Sequence, residues 1–208
     1  MITRPQGFSR VDEAVAAIQA GQPVVLPTDT VYGLCTSPYS ETCARRLYMV
    51  KRRDEAKPTA LLAADVDWLF ECIPELRGRA GVIARVLLPG PYTLVLPNPA
   101  RRYRWLTGTT PESIGVRVPK LPEPAAQVLA RVGSVIATSA NLPGGPDPSY
   151  LEEVPEEIRR SVAAILDGGK LPGTASTVLD FTGAEPRVLR EGAAPGADAL
   201  RRVAAALE

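Results

Sequence analysis

Residues 89–119 read PGPYTLVLPNPARRYRWLTGTTPESIGVRVP, and this stretch decides the fold class. It contains two runs of β-type residues, TLVLP and IGVRVP, joined by an arginine-bearing connection. Each run ends in proline, which restricts the backbone and withholds a hydrogen-bond donor. The stretch therefore predicts two short strands with well-defined ends.

Helical patterns lie on both sides of these strands. Ser9, the acidic residues after it and Gly21 predict a capped amphipathic helix in the sequence DEAVAAIQA. The other predicted helices cover residues 40–50, about 65–73, 78–88, 122–132, about 151–161 and about 196–207.

Further β-type runs cover residues 23–27, 134–138, 162–166, 176–181 and 187–191. Their alternation with helices predicts an α/β protein with a twisted, mixed sheet rather than a sandwich or a bundle. No low-complexity linker and no internal repeat divides the chain. We therefore expect one domain over residues 1–208, with its core at about 8–195 and a C-terminal helix at about 196–207.

The chain has 208 residues, of which 45% are hydrophobic and 23% charged, and it contains no histidine. That composition excludes a Ser-His-Asp triad, a Cys-His pair, an HExxH zinc site and any imidazole base. Any catalysis must therefore use lysine, arginine, carboxylates, hydroxyls, thiols or backbone dipoles.

The net charge of +1 hides an uneven distribution. Residues 45–104 carry twelve basic and six acidic side chains, whereas residues 147–208 carry seven basic and eleven acidic ones. Arginine provides 20 of the 24 basic residues, and its planar fork suits phosphates and carboxylates. The distribution indicates a local basic surface rather than nonspecific duplex binding through overall charge.

Cys35, Cys43 and Cys72 form no CxxC pair. Without histidine they make a poor zinc set, so we expect structural thiols in a reducing cytoplasm and no metal held by protein side chains. The N-terminus MITRPQGFSR lacks the apolar run of a signal peptide, and no stretch reaches the roughly 18 apolar residues of a membrane span. These features predict a soluble cytoplasmic protein.

Polar residues gather where predicted strands end, which is where open α/β sheets build ligand clefts. The sequence PTDTVYG at 27–33 predicts a turn after a strand, and its hydroxyls either bind their own backbone or line a cleft. The sequence TSAN at 138–141 follows another strand and leaves the same two alternatives.

Cations form a second kind of candidate. Lys51, Arg52 and Arg53 end a helix, with Lys57 close behind, and are either a solvated face or a polyphosphate site. Arg117 and Arg190 lie within apolar strands, where a buried charge needs an anion or an edge position. The chain has neither a Walker loop nor a GxGxxG fingerprint, so a nucleotide would bind by another design.

Taken in order, the strings PTDTVYGL, KRR followed by KP, PGPYTLVLP, IGVRVP, TSAN, DGG, STVLDF and VLREG resemble the YrdC family, the threonylcarbamoyl-AMP synthases of tRNA modification. The resemblance runs from about residue 8 to 195. It implies a single YrdC-like α/β domain, with a twisted mixed sheet and flanking helices around an open, positively charged cavity.

The resemblance also implies an activity. L-threonine, bicarbonate and ATP with Mg2+ would yield threonylcarbamoyl-AMP and pyrophosphate. Downstream transferase proteins would then modify adenosine 37 of tRNA. The chain itself would be a monomer or a homodimer and could contact tRNA or double-stranded RNA directly.

Site residues follow from the family's motifs. Catalytic roles are implied for Lys51, Arg53, Ser139 and Asn141. Contacts to ATP are implied for Arg53, Lys57, Ser113, Ser139, Asn141 and Arg190. Contacts to threonine are implied for Thr30, Tyr32, Arg117 and Ser176, with the fork of Arg117 on the carboxylate.

The chain departs from the family pattern after its KxR pair. The family continues with proline, asparagine and a histidine, whereas this chain reads KRRDEAKPTALL. Asp54 stands for the proline, Lys57 for the asparagine and Leu62 for the histidine. Because that histidine lies near the threonine in the family, Leu62 leaves the amino-acid specificity open.

Two other functions stay open on the sequence alone. One is carbamoyl-adenylate chemistry on another acceptor. The other is an RNA-binding module without ATP turnover, which would use Arg101, Arg102 and Arg104 on the RNA backbone. The connection 101–112 and the loop 143–149 are candidate lids for a cleft.

Overall fold

Nine short strands and seven α-helices alternate along residues 9–208, the part of the chain that the structure, a computed structural model, describes. The strands are β1 (Val24–Pro27), β2 (Tyr32–Thr36), β3 (Ala60–Ala63), β4 (Tyr92–Pro97), β5 (Ser113–Arg117), β6 (Ser134–Ser139), β7 (Ala164–Ile165), β8 (Thr177–Asp180) and β9 (Arg187–Arg190). The helices are α1 (Arg10–Gln19), α2 (Glu41–Lys51), α3 (Val66–Cys72), α4 (Arg79–Leu87), α5 (Ala125–Val132), α6 (Glu156–Ser161) and α7 (Gly196–Leu207). Among these helices, none has the length and apolarity that a membrane crossing requires.

All nine strands form one sheet in the order β7, β1, β2, β6, β3, β5, β4, β8, β9. The sheet is mixed, because β3 runs parallel to β5 and β4 parallel to β8, whereas most other neighbours are antiparallel. The predicted α/β class with a mixed sheet is therefore confirmed.

The two faces of the sheet are covered differently, since alternate side chains of a strand point to opposite faces. One face packs against α2, α3, α4 and α7 through buried side chains such as Leu61, Leu94 and Val116. The other face packs against α1 and α5 through side chains such as Val24 and Leu26. Within residues 9–208, the core on this second face includes no residue of β5, β4 or β8. That half of the face is left open.

The predicted helices are all present. Ser9 caps α1 as expected: its Oγ accepts a hydrogen bond from the backbone N–H of Asp12 at 3.2 Å, and the Asp12 carboxylate accepts one from the N–H of Ser9 at 2.9 Å. The predicted helix near 151–161 is shorter, because a 3-10 turn at Leu151–Glu153 precedes α6.

Two strands were not predicted. Tyr32 begins β2, so the turn expected at 27–33 occupies only the first part of that stretch. β3 has four residues, ALLA, whose type suits a helix as well as a strand. Both strands are central in the sheet. Hydrogen bonding to a strand on each side therefore stabilises them, although their own sequences do not predict a strand.

Gly133, which joins α5 to β6, is a position where the fold requires glycine. Its φ is +76°, and a Cβ there would lie 2.2 Å from the Trp68 ring. We expect Gly133→Ala to lower the free energy of unfolding by about 2–4 kcal/mol, since the left-handed backbone and the overpacking both cost stability. Urea denaturation measures the loss.

Gly144→Ala is the matched control. Gly144 has a φ of +80° but no heavy atom within 4 Å of the added Cβ. It should lose about 1–2 kcal/mol, the cost of the backbone conformation alone. Equal losses in the two variants would show that the contact with Trp68 has no energetic weight.

Candidate active site

The open half of the sheet forms the floor of a cleft of about 630 Å³. Ala137, Ala60, Gly115 and Val95 lie side by side across β6, β3, β5 and β4, as the strand register pairs Ala60 with Ala137 and Val95 with Gly115. A Cβ on Gly115 would come no closer than 3.7 Å to Ala60. The floor is therefore flat and apolar and carries only short side chains, which leaves room for a ligand directly on the sheet.

The rim of the cleft is cationic. Its lining includes Arg53, Arg117, Arg187 and Arg190 against one carboxylate, Asp180. A low-dielectric cleft with this excess of positive charge favours an anionic ligand. The expected positively charged cavity is confirmed.

Hydroxyl groups complete the lining. They belong to Thr28, Thr30, Thr59, Thr93, Thr110, Ser113, Thr138, Ser139, Ser176 and Thr182. Thr28 Oγ1 also accepts hydrogen bonds from the N–H groups of Thr30 and Val31 at 3.2 Å and donates to the Val31 carbonyl at 2.7 Å. The turn after β1 thus binds its own backbone and lines the cleft at the same time, so both alternatives hold.

The three cations at the end of α2 separate because Arg52 adopts a left-handed conformation with φ of 52°. Arg52 points to the surface, where it pairs with Glu157 at 2.9 Å. Arg53 turns into the cleft and donates from Nη2 to the Pro58 carbonyl at 2.7 Å. Lys51 is buried instead. One side chain of the cluster is therefore a solvated surface group and one a cleft residue.

Lys51 does not itself line the cleft, but its ammonium contacts Ser139, which does. Its Nζ donates to the Ser139 carbonyl at 2.6 Å and to Asn141 Oδ1, and Ser139 Oγ donates to the same Oδ1 at 2.8 Å. Burial, with a smaller effect from the charge of Arg53, lowers the pKa of Lys51 to about 8. The structure thus brings Lys51, Ser139 and Asn141 together, as the resemblance implies.

Asn141 connects this group to the loop 143–149. Its Nδ2 donates to the Gly145 carbonyl at 2.6 Å and to Asp147 Oδ1 at 3.3 Å. The loop is also held by the N–H of Tyr32, which donates to the Pro148 carbonyl at 2.9 Å. Asn141 is not part of the cleft lining, so here it acts on Lys51 and the loop.

At the other side of the floor, Arg117 ends β5 with its guanidinium nearly buried. Its Nη2 donates to Asp29 Oδ1 and to Thr30 Oγ1, the latter at 3.0 Å. Burial lowers the pKa of Arg117, and the Asp29 carboxylate opposes that effect. The anion that a buried strand arginine was expected to need is therefore Asp29.

Arg190 lies on the edge strand β9. It donates to the Ser176 carbonyl from Nη2 at 2.7 Å and from Nε at 3.2 Å. Ser176 Oγ in turn lies 2.8 Å from Thr93 Oγ1, within hydrogen-bond distance. Arg190, Ser176 and Ser113 all line the cleft, as their predicted roles require.

Three residues with predicted ligand contacts lie outside the lining: Asn141, described above, Tyr32 and Lys57. The Tyr32 hydroxyl lies 2.8 Å from both Asp167 Oδ1 and the Gly169 carbonyl, and it accepts a hydrogen bond from the N–H of Gly168 at 3.0 Å. Burial raises its pKa to about 12, so Tyr32 supports the glycine turn as a neutral phenol. Lys57 is exposed.

The arginines considered for RNA binding have other contacts. Arg101 pairs with Glu112 at 2.8 Å, and Arg102 pairs with Glu75 at 2.7 Å. Arg104 lines a second cavity of about 480 Å³ beside Trp105. The ion pairs reduce the positive potential that this connection would offer to a phosphate backbone.

Sequence reasoning missed several cleft residues. Thr93 alternates with buried leucine and tyrosine in β4, and Asp180 is a charge within the apolar run STVLDF. Period-two alternation and the buried-charge argument, applied to these strings, could have found both. Asp180 accepts hydrogen bonds from Thr182 Oγ1 at 2.6 Å and from Arg187 Nη2 at 2.6 Å.

Leu62 lines the cleft at the place where the family histidine was expected. It lies on β3 opposite Arg117 of β5 and is buried against α1 and α5. An apolar wall therefore adjoins the Arg117 side of the floor.

The cleft and fold match known proteins. A family model described as telomere recombination and named for Sua5, YciO and YrdC matches residues 16–192. A threonylcarbamoyl-AMP synthase of Stenotrophomonas maltophilia is 35% identical over 163 residues, covering 76% of this chain and 86% of that protein.

Solved structures agree with this match. The crystal structure of Pyrococcus abyssi Sua5 complexed with L-threonine is 30% identical, with a TM-score of 0.82 over 95% of this chain. This chain spans 58% of that longer protein chain. The crystal structure of E. coli YciO is 27% identical, with a TM-score of 0.77, and covers 92% of this chain and 94% of its own.

An open sheet face with a small-residue floor and an arginine rim defines an α/β protein whose cleft suits an anion, without a glycine-rich phosphate loop. The chain belongs to the Sua5/YciO/YrdC family. The resemblance read from its motifs is confirmed.

The floor at Gly115 gives a test of the cleft. Gly115→Leu should place its side chain in the open space above the sheet and weaken the binding of ATP at least about tenfold, measured by calorimetry. Gly115→Ala is the control and should bind ATP like the wild type, since its Cβ meets only ordinary contacts. Unchanged ATP binding in the leucine variant would exclude this floor as the site.

Proposed function

We propose that the chain is an L-threonylcarbamoyladenylate synthase. It combines L-threonine, bicarbonate and ATP into threonylcarbamoyl-AMP, pyrophosphate and water. Threonylcarbamoyl-AMP then serves the N6-threonylcarbamoyl modification of adenosine 37 in tRNA. One observation carries the proposal: a single cleft floor has the Lys51 and Ser139 group with Arg53 on one side and the Arg117 pocket on the other. The names of the relatives point to the same reaction.

The two sides of the cleft suit two different anions. Arg53 and Ser139, with Lys51 behind them, offer an ammonium, a guanidinium and a hydroxyl to a polyphosphate. Arg117, near Thr30 and Ser176, suits the carboxylate of an amino acid. The flat floor between them leaves space for the two substrates to meet.

The reaction requires little proton transfer by the side chains of the protein. The amine of threonine adds to CO2 derived from bicarbonate and loses a proton, which gives a carbamate. A carbamate oxygen then attacks the α-phosphorus, and the bond from that phosphorus to pyrophosphate breaks. The protein contributes position and fixed positive charge, which stabilise the negative charge that develops on the phosphate oxygens.

Mg2+ would enter with ATP. Magnesium prefers oxygen ligands and is commonly held by substrate phosphates with few protein groups. Within residues 9–208, no three acidic or cysteine side chains lie close enough together to hold a metal ion. Asp180, the carboxylate in the lining, is engaged by Thr182 and Arg187. The ion would therefore be coordinated mainly by phosphate and water.

The proposed cellular setting follows from the same reaction. The chain would work in the cytoplasm, where its three free cysteines stay reduced and where tRNA is modified. The product would pass to a separate transferase that acts on tRNA.

The α2 terminus supplies the first test of activity. Lys51→Ala and Arg53→Ala should each lower threonine- and bicarbonate-dependent pyrophosphate release at least about a hundredfold, because each removes a fixed positive charge near the reacting phosphate. Arg52→Ala is the control, since Arg52 points to the surface and pairs with Glu157. Full activity of both test variants would exclude the proposal.

The substrate is tested by supplying ATP and bicarbonate with each amino acid in turn. Mass spectrometry should find a carbamoyl-adenylate only with threonine. Pyrophosphate release with a carbamoyl donor and no requirement for threonine would instead favour the chemistry on another acceptor.

Lys51 gives the site a dependence on pH. Its ammonium binds phosphate when protonated, and its pKa lies at about 8, below its ordinary value of 10.5. The charge is therefore lost as the pH rises through 8, and the Kd of ATP should rise about tenfold between pH 7 and 9. Calorimetry without threonine avoids the titration of the amino acid itself. Lys51→Ala should bind ATP weakly and with no change over this range, and an equal change in both proteins would contradict the assignment.

A further inference from the structure

The four arginines of the cleft fall into two kinds. Arg117 and Arg187 each pair with a carboxylate, Asp29 and Asp180 respectively. Arg53 and Arg190 instead donate to the backbone carbonyls of Pro58 and Ser176. Their positive charge is not cancelled by these neutral oxygens.

Asp29 is fixed at two points. Oδ1 accepts a hydrogen bond from Arg117 Nη2, and Oδ2 accepts one from the N–H of Lys120 at 3.0 Å. The side chains of Asp29 and Arg117 are 12% and 8% exposed, so the pair is largely shielded from water. Asp29 itself does not belong to the cleft lining.

The contacts of Arg117 concentrate on one corner of its guanidinium. Nη2 donates to Asp29 Oδ1 and to Thr30 Oγ1, which uses both of its hydrogens. Nε is buried and has no hydrogen-bond partner among residues 9–208. A buried N–H without a partner is unfavourable, and a ligand oxygen at this point would satisfy it.

We infer that Asp29 is the positioning residue of the amino-acid site and decides which anion that site accepts. It holds Arg117 by one corner, leaving the other donors of the guanidinium for a carboxylate. It also cancels the charge of Arg117, so that a polyphosphate is directed to Arg53. This inference rests on the proposed binding of the amino-acid carboxylate by Arg117.

Charge compensation explains why such a device is needed. Pyrophosphate and triphosphate carry several negative charges and would compete with a single carboxylate for any uncompensated arginine. Beside Asp29, the Arg117 site is close to neutral and offers directed hydrogen bonds rather than net charge. Specificity then comes from a repulsive element, the Asp29 carboxylate, as well as from attraction.

The test is Asp29→Asn, which keeps the shape and one acceptor but removes the charge. The KM for threonine should rise about tenfold or more, because a neutral amide holds Arg117 less firmly and its free donors lose their alignment with the carboxylate, while kcat stays within about twofold. In the variant, pyrophosphate should become a competitive inhibitor against threonine, whereas the wild type should show no such competition. Asp67→Asn is the control, because it removes the exposed partner of Arg85 and should change none of these values.

Binding measurements keep the inference testable without turnover. Calorimetry with pyrophosphate alone should show tighter or additional binding to Asp29→Asn than to the wild type, and Arg117→Gln in the same chain should remove that gain. If Asp29→Asn does not fold, Asp29→Glu keeps the charge but moves the carboxylate. It should raise the KM for threonine without admitting pyrophosphate.

The outcomes separate the two proposals. A wild type that makes no carbamoyl-adenylate would overturn the proposed function, while pyrophosphate binding would still test Asp29. An active wild type with an unchanged KM for threonine and no pyrophosphate competition in Asp29→Asn would overturn the inference alone. A loss of kcat with unchanged KM values for threonine and ATP would also overturn the inference, since it would show that Asp29 has only a structural role.

Discussion

The structure depends on an unequal covering of its sheet. Two helices, α1 and α5, cover one half of the second face, and within residues 9–208 the core on that face does not extend to β5, β4 or β8. The first face carries a core that includes Leu94 of β4 and Val116 of β5, so these strands are packed on one side although their outer side is open. A ligand can therefore lie directly on a strand floor at Gly115 and Val95, and its anchors need only stand at the edges of that floor.

Ion pairing then divides the cleft arginines into two groups. Asp29 and Asp180 cancel two of the cleft arginines, and carbonyl oxygens hold the others without cancelling them. An arginine-rich cavity is often described by its total charge, but that total does not tell a polyphosphate from a carboxylate. The distribution of partners does, because it decides where charge is left for a ligand.

The sequence predicted more of the fold than of the hydrogen bonds and ion pairs among the cleft residues. Capping at Ser9, the β-type run TLVLP and the helix that ends at the cation cluster are local signals, and the structure has a cap, a strand and a helix end at these places. The cluster could not reveal that Lys51 is buried while Arg52 faces solvent, because this division depends on a left-handed residue at the helix end. The pairing of Asp29 with Arg117 joins residues 88 positions apart, and no local sequence pattern predicts it.

A chain without histidine still needs a group that responds to pH if its charge state is to vary near neutrality. Arginine keeps its charge at every physiological pH. Lys51 differs, because burial behind Ser139 brings its pKa to about 8. Asn141 holds Lys51 and, through its amide, the loop 143–149. Through Asn141, the buried ammonium of Lys51 is thus connected to the loop 143–149, so that the loop and the charge are positioned together.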